Sequence, residues 1–243
     1  MNILITGSEG ILGKVVSEAL KEHNLVLLDK KAKNPIDLLK DYISDYFRGI
    51  ETTIHLAAYP RPWISLEQAQ ENFLVGWNVL EECRKNNVKR FINASSLNVY
   101  DFDNIWRKGL KITSQTPVMP NTKKEWRGGG TGEIFYARAK VALETLAYGY
   151  YQTEGISVLN LRLGGVNKEN KPPLYGIDEC EPFEEAGWLS HEDLSEIIKR
   201  AIYFNGYASI PVTSANSGNF VDLKPLEKAL GYFPKSNSST FRK

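Results

Sequence analysis

The chain has 243 residues, 42% of them hydrophobic and 24% charged, and its 30 basic and 29 acidic side chains leave a formal charge of +1. That balance excludes a polybasic nucleic-acid binder and an acidic disordered tail protein. No apolar run reaches the roughly 18 residues of a membrane-spanning helix, and the length suits one large domain or one with a small appended lobe.

Taken in chain order, short β-branched or leucine-rich runs alternate with longer amphipathic stretches. Asn2 to Thr6 reads as a strand, with no charged segment and long apolar core of a signal peptide before it. A helix is expected over Ile11 to Glu22, a strand over Leu25 to Asp29, and a strand over Thr52 to Ala57. A helix over Leu66 to Asn86, a strand over Arg90 to Ser95, a helix over Glu133 to Thr153 and a strand over Ser157 to Leu163 follow. Runs such as Leu25-Val26-Leu27-Leu28, apolar at successive positions, imply strands buried on both faces, hence a parallel sheet between helices. Beyond it come a helix over His191 to Phe204, a strand near Ile210 to Thr213 and a helix near Lys224 to Leu230.

Two stretches break this rhythm and read as long loops of opposite charge, the basic run 101–132 with Gly128-Gly129-Gly130 and the acidic run 169–185. The two cysteines, Cys83 and Cys180, suit a reducing compartment, so a cytoplasmic protein is expected. With only three histidines available, no metal-ligand spacing arises and no metal is expected.

Gly7, Gly10 and Gly13 lie between the first strand and the first helix, where a glycine loop presents a helix N-terminus to a pyrophosphate. Gly7 would make the tight turn, Gly10 would admit the phosphates, and Gly13 would let helix and strand pack closely, with Ile11 and Leu12 opening the helix. Asp29 ends the second strand, where a carboxylate accepts bonds from the adenosine ribose hydroxyls and repels a 2′-phosphate. That favours NAD over NADP, although Lys30, Lys31 and Lys33 offset part of the repulsion.

This spacing resembles the extended short-chain dehydrogenase/reductase superfamily, the NAD-dependent epimerases and dehydratases. The matching segments follow in order: Asp37-Leu38 after a third short strand, His55 to Ala58, Asn72, Ser95-Ser96, and Tyr136-Ala137-Arg138-Ala139-Lys140. The resemblance implies that Asp37 and Leu38 border the adenine, that Leu56, Ala57 and Ala58 line the pyrophosphate side, and that Asn72 is a buried polar support. It also implies that Lys140 bridges to the nicotinamide ribose and that the chain forms a homodimer through the helices carrying Asn72 and Tyr136, with Trp77, Leu80, Tyr148 and Tyr151 as its face. Residues 1–163 are expected to form a doubly wound α/β Rossmann domain, and 164–243 a small substrate-binding lobe.

Tyr136 and Lys140, four apart on a helix, project from one face about a turn apart. A free phenol with pKa near 10 is a poor base at neutral pH, by roughly 4 kcal/mol. An ammonium about 4 Å away at an effective dielectric near 20 supplies roughly that amount, and a positively charged nicotinamide ring adds to it. Ser96 would hold the substrate oxygen, completing the catalytic set of Ser96, Tyr136 and Lys140. Arg162 reads as a structural ion-pair partner.

The short C-terminal stretch leaves little to grip a nucleotide, so the substrate is expected to be a small sugar or sugar acid. Gly187 to Leu194 and the ending from Ala215-Asn216-Ser217-Gly218 through Leu230 to Lys235 resemble the uronate dehydrogenases, which oxidise the anomeric carbon of a hexuronic acid. Leu97-Asn98 departs from the Asn-His pair there, and no arginine lies between Arg162 and Arg200 to clamp a carboxylate. Asn98 and Arg61 are the expected substrate contacts, with Arg107 as another possible clamp and Tyr59, Trp63 and Trp188 as flat faces. Hexuronate and neutral aldose stay open. So do a nucleotide-sugar epimerase, dehydratase or reductase using the same site and a non-catalytic NAD-sensing module.

Overall fold

The computed structural model describes residues 1–60, 64–113, 115–120 and 132–242. Strands β1 (Asn2–Thr6), β2 (Asn24–Leu28), β3 (Thr52–His55), β4 (Arg90–Ser96), β5 (Ser157–Leu163) and β6 (Tyr207–Val212) form a parallel sheet in the order β2-β1-β3-β4-β5-β6. The α-helices among the described residues are α1 (Ile11–Ala19), α2 (Leu66–Lys85), α3 (Phe102–Arg107), α4 (Gly132–Glu154), α5 (Pro182–Ala186), α6 (His191–Ala201) and α7 (Lys224–Leu230). This is the doubly wound α/β architecture expected from the alternating rhythm.

Side-chain alternation explains the apolar run Ile3-Leu4-Ile5 of β1, which is buried on both faces, whereas β2, at the sheet edge, leaves Leu27 exposed. Ile3 and Ile5 point to one face, where they pack with Val16 of α1 and with Leu194, Ile197 and Ile198 of α6. Leu4, between them, points to the other face, into a cluster with Val79 and Leu80 of α2 and Leu143 and Ala147 of α4. The sheet order reverses at β1, which has β2 on one side and β3 on the other. A crevice opens at the carboxyl ends of strands at such a reversal. There the parallel register collects Thr6, Leu28, His55, Ser96 and Leu163 at one edge.

Several boundaries and two loops differ from expectation. α1 stops at Ala19 and α6 at Ala201, short of Glu22 and Phe204, and β3 ends at His55. No strand precedes Asp37: among the described residues between β2 and β3 there is only a 3₁₀ turn, Ser44–Phe47. The basic run holds α3, whose cap Asp101 accepts a bond from the Asn104 amide. Trp106 of that helix meets Phe220 edge-on, and Ile112 is fully buried and bridges to Val221. These apolar side chains give that part of the run a small core of its own with Phe183 of α5.

The acidic run likewise contains α5, started by Pro182 and a reciprocal cap between Glu181 and Glu184. Its Glu185 is buried and pairs with Arg242 near the C-terminus. Gly128-Gly129-Gly130 lie outside the described residues. From the stretch 164–243, β6 joins the sheet and α6 its helical layer.

The Ser190 hydroxyl caps α6 by accepting a 3.0 Å bond from the Asp193 amide. The Asp193 carboxylate, though, does not close a capping box; it accepts bonds from the Ser214 and Tyr232 hydroxyls at 2.6 and 2.7 Å and from the Lys235 and Ser236 amides at 2.8 and 3.1 Å. One buried anion thus ties α6, the strand-end segment after β6 and the C-terminal tail together. Asp193→Ala strands two hydroxyls and two amides, so it is expected to cost about 3 kcal/mol or more. Urea unfolding of the variant against the parent chain measures this; a loss under about 1 kcal/mol would mean the tail is held otherwise.

Candidate active site

The crevice is a continuous groove of about 710 Å³. Its lining runs from the glycine loop and Asp29 through Ser96, Tyr136 and Lys140 to Trp188 and Phe220. Of the expected site residues among the described ones, Gly7, Gly10, Ile11, Leu12, Gly13, Asp29, Asp37, Leu38, Leu56, Ala57, Ala58, Asn72, Ser96, Asn98, Tyr136 and Lys140 line it, whereas Arg107, the other possible clamp, is on α3 and does not. Arg61 and Trp63 lie outside the described residues.

At the dinucleotide end, Gly7 has φ of +72°, which L side chains rarely adopt, and an added Cβ would stand 2.7 Å from the Ala57 nitrogen. A Cβ on Gly13 would lie 2.3 Å from the Gly7 carbonyl, so helix and loop could not close. Gly10 differs: a Cβ there meets only the Gly7 carbonyl, at 3.2 Å, so its bareness keeps space open beside the helix start. No side chain caps α1 and its first turn holds no acid. An uncapped helix N-terminus beside an open cradle suits a phosphate.

Asp29 is held ready at the groove's edge, its two oxygens accepting from the Glu9 amide at 2.9 Å and the Lys31 amide at 2.7 Å. Asp37 accepts from the Leu39 amide at 3.0 Å. Leu38 is buried, and its carbonyl accepts from Asn78 of α2. Asn72, also buried, grips the Tyr59 backbone from both sides, accepting from its amide at 2.7 Å and donating to its carbonyl at 3.2 Å. These residues fit an adenine dinucleotide: apolar walls, one carboxylate for the ribose and an open helix start for the phosphates.

At the other end, β4 delivers Ser96 and α4 delivers Tyr136 and Lys140, both buried. Ser96 accepts from the Asn98 amide at 3.2 Å and also hydrogen-bonds the Tyr136 phenol. Lys140 Nζ lies 5.7 Å from the Tyr136 ring centroid and donates to the Ala94 carbonyl at 2.7 Å. Burial pushes the Tyr136 phenol up to about 12, with the Ser96 bond acting the other way. Burial also pushes the Lys140 ammonium down to about 8, with Glu144 opposing.

In the chain by itself, desolvation outweighs the help that the ammonium gives the phenol. Both groups have left water, and desolvation penalises phenolate and ammonium alike. His55, buried beneath them on β3, is pushed down to about 3 by burial and by the Lys140 charge, so it is neutral at physiological pH.

Glu144 is a buried member of the assembly that went unnoticed, although its spacing of four after Lys140 puts it on the same helix face. It accepts from the Ser95 hydroxyl at 2.5 Å and from Arg162 Nε and Nη2 at 3.0 and 2.6 Å. Arg162, read as a structural partner, is just that, and it also donates to the Tyr100 hydroxyl. The far wall, with Gly164, Gly165, Asn167, Glu184, Trp188 and Phe220, also escaped notice except for Trp188. Its parts come from three separate segments, 164–167, 184–188 and around Phe220.

Comparison with known proteins places this geometry. Residues 3–167 match the family described as NAD dependent epimerase/dehydratase family. L-Arabinose 1-dehydrogenase (NAD(P)(+)) of Haloferax volcanii is 27% identical over 98% of this chain and 98% of its own. Uronate dehydrogenase of Pseudomonas putida is 28% identical over 99% of this chain and 86% of its own. The crystal structure of uronate dehydrogenase from Agrobacterium tumefaciens superposes with a TM-score of 0.79, at 23% identity, over 99% of this chain and 86% of that one.

With Lys140 lowered to about 8 from 10.5, the unfolded chain binds the extra proton between those values. Stability is therefore expected to rise with pH across that window, the cost of the buried charge being fully present below about 8. Urea midpoints of the parent chain and Lys140→Met, taken on both sides of the window, isolate this contribution. A difference between the two proteins that stays constant with pH would contradict it.

Proposed function

Because the chain belongs to the NAD dependent epimerase/dehydratase family, we propose that it is an NAD-dependent dehydrogenase that oxidises a small sugar, with Tyr136 as the base. The observation that carries this is the meeting, in one groove, of the glycine loop and Asp29 at one end with Ser96, Tyr136 and Lys140 at the other. A sensing module would have no use for the last three. No specific observation favours a nucleotide-sugar substrate.

Ser96 holds the reacting hydroxyl of the sugar and Tyr136 takes its proton, so that the carbon is left to give up a hydride. When bound, NAD+ supplies the hydride acceptor and a positive charge beside the phenol. That charge is what the dry pair of Tyr136 and Lys140 lacks, since an opposite charge nearby favours the ionised phenol. Lys140, fixed by the Ala94 carbonyl, keeps a second cation on the same side of the groove. Tyr136→Phe is expected to lower turnover by about 10²- to 10⁴-fold while NAD+ still binds, as read by NADH absorbance and by calorimetric titration. An unaffected rate would remove Tyr136 from this role.

For the substrate, a neutral aldose fits better than a hexuronate. The basic side chains among the described lining residues are Lys30, Lys31 and Lys140, and Glu184 brings an acid to the far wall. A sugar carboxylate would meet that acid with no arginine fork among the described lining residues to receive it. The likeness to an arabinose dehydrogenase speaks for the aldose and that to a uronate dehydrogenase for the hexuronate, so the lining carries this choice. NADH formation screened over neutral aldoses and hexuronates tests it; a response confined to hexuronates would overturn it.

A cytoplasmic homodimer completes the proposal. Leu74 and Trp77 of α2 and Tyr148 of α4 are exposed, as a dimer face requires, whereas Leu80 is turned fully into the core and leaves that face.

A further inference from the structure

Away from Tyr136, three side chains on the groove wall form a unit that the proton transfer does not use. Lys30 follows Asp29, Tyr59 lies beyond β3, and Glu71 stands on α2; all three line the groove. Lys30 Nζ donates to the Tyr59 hydroxyl at 3.2 Å, lies 3.5 Å from Glu71 Oε1 and sits 4.5 Å from the centre of the Tyr59 ring. The Tyr59 hydroxyl is also within 3.2 and 3.1 Å of the two Glu71 oxygens. Tyr59 is itself immobilised by the Asn72 grip on its backbone. The ammonium is thus drawn toward α2 by a carboxylate and the face of a ring.

Its place in the chain makes this consequential. Asp29, one residue before, is the carboxylate positioned for a ribose, and a cation next to such an acid is what neutralises a 2′-phosphate on that ribose. A lysine already paired with a carboxylate has less attraction left for a phosphate. Lys31, by contrast, makes no ion pair among the described residues, so discrimination by this device alone is incomplete.

We propose that Glu71, together with Tyr59, holds Lys30 back from the ribose 2′ position and so strengthens this chain's preference for a dinucleotide without a 2′-phosphate. The inference rests on the coenzyme reading above. Exposed pairs of this kind are weak, so the effect is a several-fold change and not a switch.

The test is a double-mutant cycle on the coenzyme-free protein, with NAD+ and NADP+ titrated calorimetrically into the parent chain, Glu71→Gln, Lys30→Met and the double variant. With side chains 51% and 36% exposed, Lys30 and Glu71 can be replaced without disturbing the core. Glu71→Gln is expected to shift the ratio of NADP+ to NAD+ dissociation constants by about three- to five-fold toward NADP+. The same change in the Lys30→Met background should leave the ratio where it was. A ratio unmoved by Glu71→Gln would overturn the inference, and so would a shift that persists without Lys30, since Glu71 would then act by direct repulsion. Failure of the parent chain to bind either dinucleotide would overturn the coenzyme reading and the inference with it.

Discussion

The placement of the reactive groups depends on the buried ion pair between Glu144 of α4 and Arg162 of β5. α4 carries Tyr136 and Lys140, and its position over the ends of β4 and β5 is set where Glu144 receives Arg162 and the Ser95 hydroxyl together. A buried pair of this kind gains little net energy over apolar packing, because desolvation consumes most of the Coulomb attraction. What it provides is intolerance of misplacement: a shift of α4 along its axis would leave a guanidinium and a carboxylate unpaired in a dry layer. The helix therefore has one register against the sheet, and its reactive face one position over the crevice.

The same dryness shapes the chemistry. Tyr136 and Lys140 are buried under the groove, and each is pushed toward its neutral form. The chain alone therefore holds a phenol that is a weaker source of phenolate than a free tyrosine in water. This is compatible with a base that becomes competent only when a cationic ring arrives beside it, since the interaction it awaits is stronger in the low-dielectric site than it would be in water.

The far wall has another origin. α3, α5 and the segment around Phe220 and Val221 fold over one another into a small third core rather than lying as solvated loops of opposite charge. Its apolar members are scattered singly through polar runs. Among the described residues, charges of those runs are exposed, as at Lys108, Lys111, Asp178 and Glu179, or, like Glu185, are taken up by a partner from the far end of the chain.

The chemistry was legible in the amino-acid sequence wherever it depends on short spacing. Gly7, Gly10 and Gly13, the acid Asp29 at the end of a strand, and Tyr136 four before Lys140 are local patterns, because a turn, a strand end or one helical turn brings their parts together. The six parallel strands were nearly as legible, since burial on both faces leaves an unbroken apolar run. Even Glu144 and the Glu181–Glu184 cap followed local rules and could have been read from them. Only the tertiary structure decided that Lys140 donates a hydrogen bond to the Ala94 carbonyl, that Asp193 anchors the tail and not its own helix start, and that Lys30 is drawn to Glu71. Each of these is a choice among several polar partners far apart in the chain, and desolvation together with hydrogen-bond geometry makes that choice once the core has closed.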